Sequence, residues 1–178
     1  SVSFCKGGEF YSSAPRIVNY NCRADKVCVL KNYSAPSKQS EQNPVIYGNE
    51  QGALILEDSA ASDHDEGYKI TGLTLKGEGS PGTGIRMLND VDFVEIDNVV
   101  VEGFRLGIYI TNATNNELGS DGVSSNITIR NSVIKNNSGQ GILAGGDNIL
   151  IDSNNIFNNG FAEAVFNHNI YKFFELIF

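Results

Sequence analysis

Arg86, Tyr109 and His168 bring together the side-chain types that acid–base chemistry on a charged sugar needs. Taking the proton beside a uronate carboxylate requires a base, and the enolate that forms requires a cation. Imidazole and phenol are bases of the right type, and a guanidinium can clamp a carboxylate through two parallel hydrogen bonds. Phe166, Asn167 and Thr111 add a ring face that can stack on a pyranose and two groups that can bond its hydroxyls. His168, Arg86 and Tyr109 are therefore candidate catalytic residues, and Phe166, Asn167 and Thr111 candidate substrate-binding residues. The competing structural account has Tyr109 and Phe166 covering a flank while His168 bonds to a turn.

Asp63-His64-Asp65-Glu66 places three carboxylates within four residues, the oxygen-rich donor set that Ca²⁺ prefers. Asp63, Asp65 and Glu66 are the candidate ligands; a solvated acidic loop is the alternative, since no spaced calcium-loop pattern surrounds them. The formal net charge of the chain is -8. A field of that sign repels nucleic acid and anionic lipid. It also opposes an anionic glycan unless a cation or a local basic patch intervenes. No phosphate-cradling glycine motif, His-Glu-x-x-His or serine elbow is present. No stretch is long and apolar enough to insert into a membrane as a helix.

Residues so scattered form a site only if the fold stacks them, and an internal repeat supplies the stacking. Four segments lead with Ile70, Ile96, Ile129 and Ile151, spaced by 26, 33 and 22 residues. A second series begins Gly84-Ile85, Gly107-Ile108, Gly141-Ile142 and Ala164-Val165, spaced by 23, 34 and 23. The two series drift together, as turns of one repeat must. Apolar residues alternate with polar ones, the period of strands rather than helices. Coils of about 22 residues, each unable to bury its apolar face alone, acquire a common core by stacking. The longer intervals fit as loops at 77–83 and 112–125.

The reading is an all-β single domain, a right-handed parallel β-helix over 1–178. Residues 1–66 are expected to form irregular N-terminal coils and a cap, 67–171 regular coils, and 172–178 an apolar tail. With Ile85, Ile108, Ile142 and Val165 inward, Arg86, Tyr109, Leu143 and Phe166 form one outward column, and Leu88, Thr111, Gly145 and His168 the next. Asn98, Asn126, Asn131, Asn148 and Asn169 fall at bends, where Asn tolerates left-handed angles and can ladder its amide between coils. The tail is read as a truncated continuation of the coils, with a plug across the core as the alternative; end-to-end association through it is a further expectation.

Cys5, Cys22 and Cys28 cluster near the start, with Cys22–Cys28 the favoured disulfide and a zinc site the weaker rival. The run Phe166-Asn167-His168-Asn169-Ile170-Tyr171, with Asn126-Ile127-Thr128-Ile129-Arg130-Asn131-Ser132 upstream, resembles bacterial right-handed parallel β-helix repeat proteins of the pectate-lyase-like superfamily. The resemblance covers about residues 65–171. It implies a secreted or cell-surface protein that binds or degrades a polysaccharide, with lyase-type β-elimination of a uronate glycan favoured and epimerisation also within the superfamily. Non-catalytic alternatives are an adhesin-like or tailspike-like glycan-binding scaffold and an inactive fragment. No catalytic signature of a particular member family is legible.

Overall fold

The computed structural model describes residues 1–17, 21–37, 40–57, 67–112, 122–162 and 168–172. Among them every regular element is a strand: β1 (Val2–Cys5), β2 (Glu9–Tyr11), β3 (Arg16–Ile17), β4 (Cys28–Tyr33), β5 (Val45–Tyr47), β6 (Gly52–Glu57), β7 (Tyr68–Thr71) and β8 (Thr74–Leu88). There follow β9 (Val94–Asp97), β10 (Val100–Ile110), β11 (Ser125–Arg130), β12 (Val133–Lys135), β13 (Ile142–Ala144), β14 (Asp147–Asp152), β15 (Asn155–Phe157) and β16 (Ile170–Lys172). No helix among the described residues is long and apolar enough to cross a membrane.

All pairings between these strands are parallel. One sheet runs β1-β4-β7-β9-β11-β14. The other contains two series of partners that merge within the long strands β8 and β10. The first series is β2, β5, the start of β8, the start of β10, β12 and β15; the second is β3, β6, the end of β8, the end of β10, β13 and β16. The chain thus visits three strand positions in the same order, pass after pass, and each strand lies beside its counterpart from the pass before.

The register follows the repeat. Ile70 lies opposite Ile96, Ile96 opposite Ile129, and Ile129 opposite Ile151. Leu75, Val101, Ile134 and Ile156 align in the same way, as do Leu54, Ile85, Ile108 and Ile142. Because side chains alternate across a strand, these three rows all face one core. Ile70, Ile96, Ile129, Leu75, Val101, Ile134, Ile85, Ile108 and Ile142 are fully or almost fully buried. The first strands obey the same rule, with Leu30 opposite Ile70 and Ile46 opposite Leu75.

The bends depend on left-handed residues at equivalent positions. Gly72, Asn98, Asn131 and Ser153, which follow the aligned Thr71, Asp97, Arg130 and Asp152, all have φ between 49° and 64°. Asn126 and Asn148, the second residues of β11 and β14, share a second left-handed position, with φ of 56° and 48°, and the Asn148 amide donates to Asn126 Oδ1 at 2.6 Å. Asn favours these angles because its short polar side chain offsets the steric cost. Asn169 differs: it has no positive φ, and its Oδ1 instead accepts from Asn159 Nδ2 at 3.0 Å.

Inside the stack a second Asn ladder replaces apolar packing. Asn137 is fully buried; its Oδ1 accepts from the Phe104 amide at 3.0 Å, and its Nδ2 donates to Asn159 Oδ1 at 2.9 Å. Phe104, also buried, packs against Gly77, where a Cβ would come within 2.6 Å of its ring.

On the outer faces the charges alternate from pass to pass. Glu102 lies between Lys76 (3.5 Å) and Lys135 (3.2 Å). Glu95 lies between Lys69 (3.1 Å) and Arg130 (2.6 Å), and Arg130 also reaches Asp97.

Two expectations need correction. Residues 77–83 do not leave the sheet as a loop: they run within β8, and the extra residues are absorbed by register shifts against β10 between Glu102 and Leu106. A parallel ladder can take up such an insertion as a bulge, keeping most backbone groups bonded. Residues 113–121 of the other expected loop lie outside the described residues. In the last pass the partner of Ile142 is Ile170, not Val165, because Ile142 N donates to Asn169 O and Gly141 N to His168 O. The Cys22–Cys28 disulfide is present, with Cys5 free.

Candidate functional site

Arg86 lies on β8 between Ile85 and Met87, which both point into the core, so alternation turns its side chain outward. Its neighbour on the next pass is Tyr109, and the guanidinium carbon stands 5.8 Å from that ring's centroid. At that distance the cation and the π face attract. Arg86 Nε is buried without a hydrogen-bond partner. Arg86 makes no ion pair with any described residue.

The same face continues toward the N-terminus through Ile55 to Arg16, which β3 and β6 place in line with Arg86. Arg16 Nε pairs with Glu57 at 3.0 Å. Arg105 enters from β10, at the point where its register against β8 shifts. Arg16, Ile55, Arg86, Arg105 and Tyr109, with Glu50 on the rim, line one concavity of about 650 Å³. Its wall exists because two backbones approach closely. Gly52, at φ +128°, lies so near Thr83 that a Cβ would fall 1.9 Å from the Thr83 carbonyl oxygen.

Three guanidiniums around one concavity make a local basic patch on a chain whose overall charge is -8. Such a cleft can bind carboxylates by charge-assisted hydrogen bonds and can hold the apolar face of a sugar ring against Tyr109. Among the described residues Glu50 lines the concavity and Glu57 pairs with Arg16, so three guanidiniums stand against two carboxylates and one positive charge remains in balance.

The structure brings Arg86 and Tyr109 together and separates His168 from both. Opposite Tyr109 stands Leu143, and opposite Leu143 stands Tyr171, where Phe166 was expected. His168 is exposed and stacks on Tyr171, with ring centroids 5.9 Å apart; it is not in the column of Leu88 and Thr111. Thr111 donates through Oγ1 to Met87 O at 2.8 Å and accepts from Asn89 N at 3.2 Å, so its hydroxyl is engaged in closing a turn. Phe166 and Asn167, and the calcium candidates Asp63, Asp65 and Glu66, lie outside the described residues. Among the described residues no three His, Cys, Asp or Glu side chains gather closely enough to hold a metal ion.

Arg16 and Arg105 are the site residues that sequence reasoning misses. Arg16 sits in a two-residue strand too short to show a period. It could have been found by extending the Arg86 column backward through Leu54-Ile55-Leu56. Arg105 sits in the irregular part of β10, where strict alternation fails.

No protein-family model, curated protein or solved structure matches this chain.

Proposed function

We propose that the chain is a secreted right-handed parallel β-helix that binds a uronate-containing polysaccharide in the Arg86 cleft. The single observation that carries the binding reading is the convergence of Arg16, Arg86 and Arg105 on a concavity beside Tyr109 in an otherwise acidic protein. The β-helix reading is supported by the repeated three-strand order and the layer-to-layer registers. Right-handedness follows the rule that parallel crossover connections are right-handed in about 98% of cases. The Cys22–Cys28 bridge fits an oxidising compartment. The likeness to pectate-lyase-like repeat proteins points to the same substrate class.

Binding is favoured over β-elimination by the position of the imidazole. A base must come within hydrogen-bond reach of the proton it takes, and His168 lies beyond Leu143 from the Arg86–Tyr109 pair. Any elimination at this cleft then falls to Tyr109 as base, with Arg86 stabilising the enolate. A glycan-binding scaffold of the adhesin or tailspike kind needs only the binding part.

Affinity electrophoresis against a panel of acidic and neutral polysaccharides tests this. Retardation by uronate polymers, relieved by salt and by Arg86→Gln, is the expected result. Equal retardation by neutral polymers, or none by any acidic one, refutes it. Unsaturated product, detected by its ultraviolet absorbance and abolished in Tyr109→Phe, would move the protein from binder to lyase.

A further inference from the structure

We infer that the outer face of the β1-β4-β7-β9-β11-β14 sheet carries a second site, which stacks a neutral sugar ring on Phe93. Val27, Phe93, Glu95, Asn126, Thr128 and Arg130 line a concavity of about 300 Å³ there, at the small end of ligand-sized pockets. None of these residues lines the Arg86 cleft, which is built from strands of the other sheet. The inference therefore stands apart from the uronate-binding reading above.

Phe93 breaks a rule that its own column obeys. Glu95 lies opposite Thr128, and Thr128 opposite Leu150, so Phe93 falls at the position of Asn126 and Asn148. The three share left-handed angles, with φ of 51°, 56° and 48°. The ladder fixes the Phe93 backbone on both sides: its amide donates to Ser125 O and its carbonyl accepts from Tyr68 N, each at 3.1 Å. Asn offsets a left-handed angle with its short polar side chain, and a phenyl ring has no such means. Among the described residues Phe93 is the only aromatic one with a positive φ. Its ring is 38% exposed, so packing into the core does not account for the choice. Strained positions held by a fixed surrounding collect at ligand sites. Val27, also exposed, adds apolar surface to the same concavity.

The polar lining suits hydroxyl groups rather than a charge. Thr128 stands between the buried Ile127 and Ile129, so alternation turns its hydroxyl outward. Glu95 and Arg130 meet at 2.6 Å, and a carboxylate and a guanidinium have more acceptor and donor sites than that one bond uses. The lining charges cancel, Glu95 against Arg130, and the flanking Lys69 and Asp97 cancel as well. No field here selects an anion. A pyranose offers an apolar C–H face to the Phe93 ring and hydroxyls to Thr128, Glu95 and Arg130. A purely apolar ligand would use Phe93 and Val27 and leave the polar groups without a role.

Ligand-observed NMR titration with the methyl glycosides of glucose, galactose, mannose and N-acetylglucosamine tests the inference, with N-acetylphenylalanine amide as the apolar comparison. At least one neutral glycoside is expected to bind in the millimolar range. Phe93→Asn, which installs the residue its column carries at 126 and 148, is expected to weaken that glycoside about tenfold, and Thr128→Val about fivefold. Phe93→Asn should melt no lower than the parent, and both variants should keep the parent's retardation by acidic polymers. Absence of binding by every neutral glycoside, or binding indifferent to Phe93→Asn, overturns the inference. So does an amide that binds more tightly than every sugar, which makes the concavity an apolar groove. A Phe93→Asn melt several degrees below the parent's makes the ring a packing residue and also overturns it. Neutral binding of the expected kind in a protein that no acidic polymer retards sustains this site and refutes the Arg86 reading alone.

Discussion

Replacing Asn137 with alanine should cost about 3–5 kcal/mol, although the side chain carries no charge and belongs to no cleft. The side chain is fully buried and makes two well-formed hydrogen bonds, accepting from Phe104 N at 3.0 Å and donating to Asn159 Oδ1 at 2.9 Å. Alanine removes both, worth about 1 kcal/mol each, and strands the Phe104 amide, a further penalty of about 1–3 kcal/mol. Asn159 Oδ1 keeps the Asn137 backbone amide at 3.1 Å and so is not stranded. Equilibrium urea unfolding followed by circular dichroism reads the loss as a lower midpoint at unchanged slope. Asn131→Ala is the control: Asn131 is exposed, has φ 49°, and its side chain bonds only Asp97 among the described residues, so about 1–2 kcal/mol is expected from the left-handed angle. A third variant adds a pH signature. In Asn137→Asp the carboxylate still accepts from Phe104 N but meets Asn159 Oδ1 without a proton. Burial against a second oxygen raises its folded pKa above the unfolded value of about 3.9. The deficit relative to the parent is therefore smallest below that value and grows as pH rises through the folded pKa. An Asn137→Ala loss under about 1 kcal/mol, or one no larger than that of Asn131→Ala, refutes the claim that the inner amide ladder holds the passes together.

Four further outcomes follow from the same structure. Ile96→Ala empties a fully buried site between Ile70 and Ile129 and should cost about 3–4 kcal/mol by urea unfolding. Gly52→Ala forces a Cβ onto the Thr83 carbonyl and should cost about 3 kcal/mol, whereas Gly79→Ala, with open space around it, should cost only about 1 kcal/mol for its positive φ; equal melting of the two variants contradicts the close approach. Breaking the Cys22–Cys28 bridge by a double serine substitution should lower stability by about 2 kcal/mol, the loop-closure value for its separation of 6. Tyr47 is half-buried and stacked under Tyr11, and that desolvation, followed by the Glu9 carboxylate, raises its pKa above the ordinary 10. The folded protein should thus show one tyrosine that ionises later than the exposed ones, a component of the absorbance change that Tyr47→Phe removes, and the stability held by the neutral phenol should fade as pH climbs through that component.

The stacking of the Ile-led segments was legible because it rests on short-range alternation and a recurring spacing, both visible in letters. Ile70, Ile96, Ile129 and Ile151 align as their spacing suggests. The last pass misleads because Val165-Phe166 alternates like a strand and stands 23 residues after Ile142, the same interval that separates Ile85 from Ile108. What fixes register is the backbone ladder, and it selects Ile170, 28 residues on. That displacement moves Tyr171 into the row assigned to Phe166 and leaves His168 outside the cleft. Arg16 and Arg105 escaped for the opposite reason: one strand is too short and the other too irregular for any period to register. The site was half visible, as the Arg86–Tyr109 pair, because those two residues follow regular strands.

The outer ion pairs have a consequence for how such a chain can change. Glu95, Asp97 and Glu102 all belong to the pass built from β9 and β10, while Lys69 and Lys76 precede it and Arg130 and Lys135 follow. Excising that pass in frame would preserve the apolar rows, yet it would seat Lys76 directly against Lys135, cation on cation at one strand spacing. Repetition in the interior therefore does not make the units exchangeable. Their sequence along the axis is written on the outside in alternating sign, and a duplication or deletion that keeps the core intact still has to restore that alternation before the stack closes.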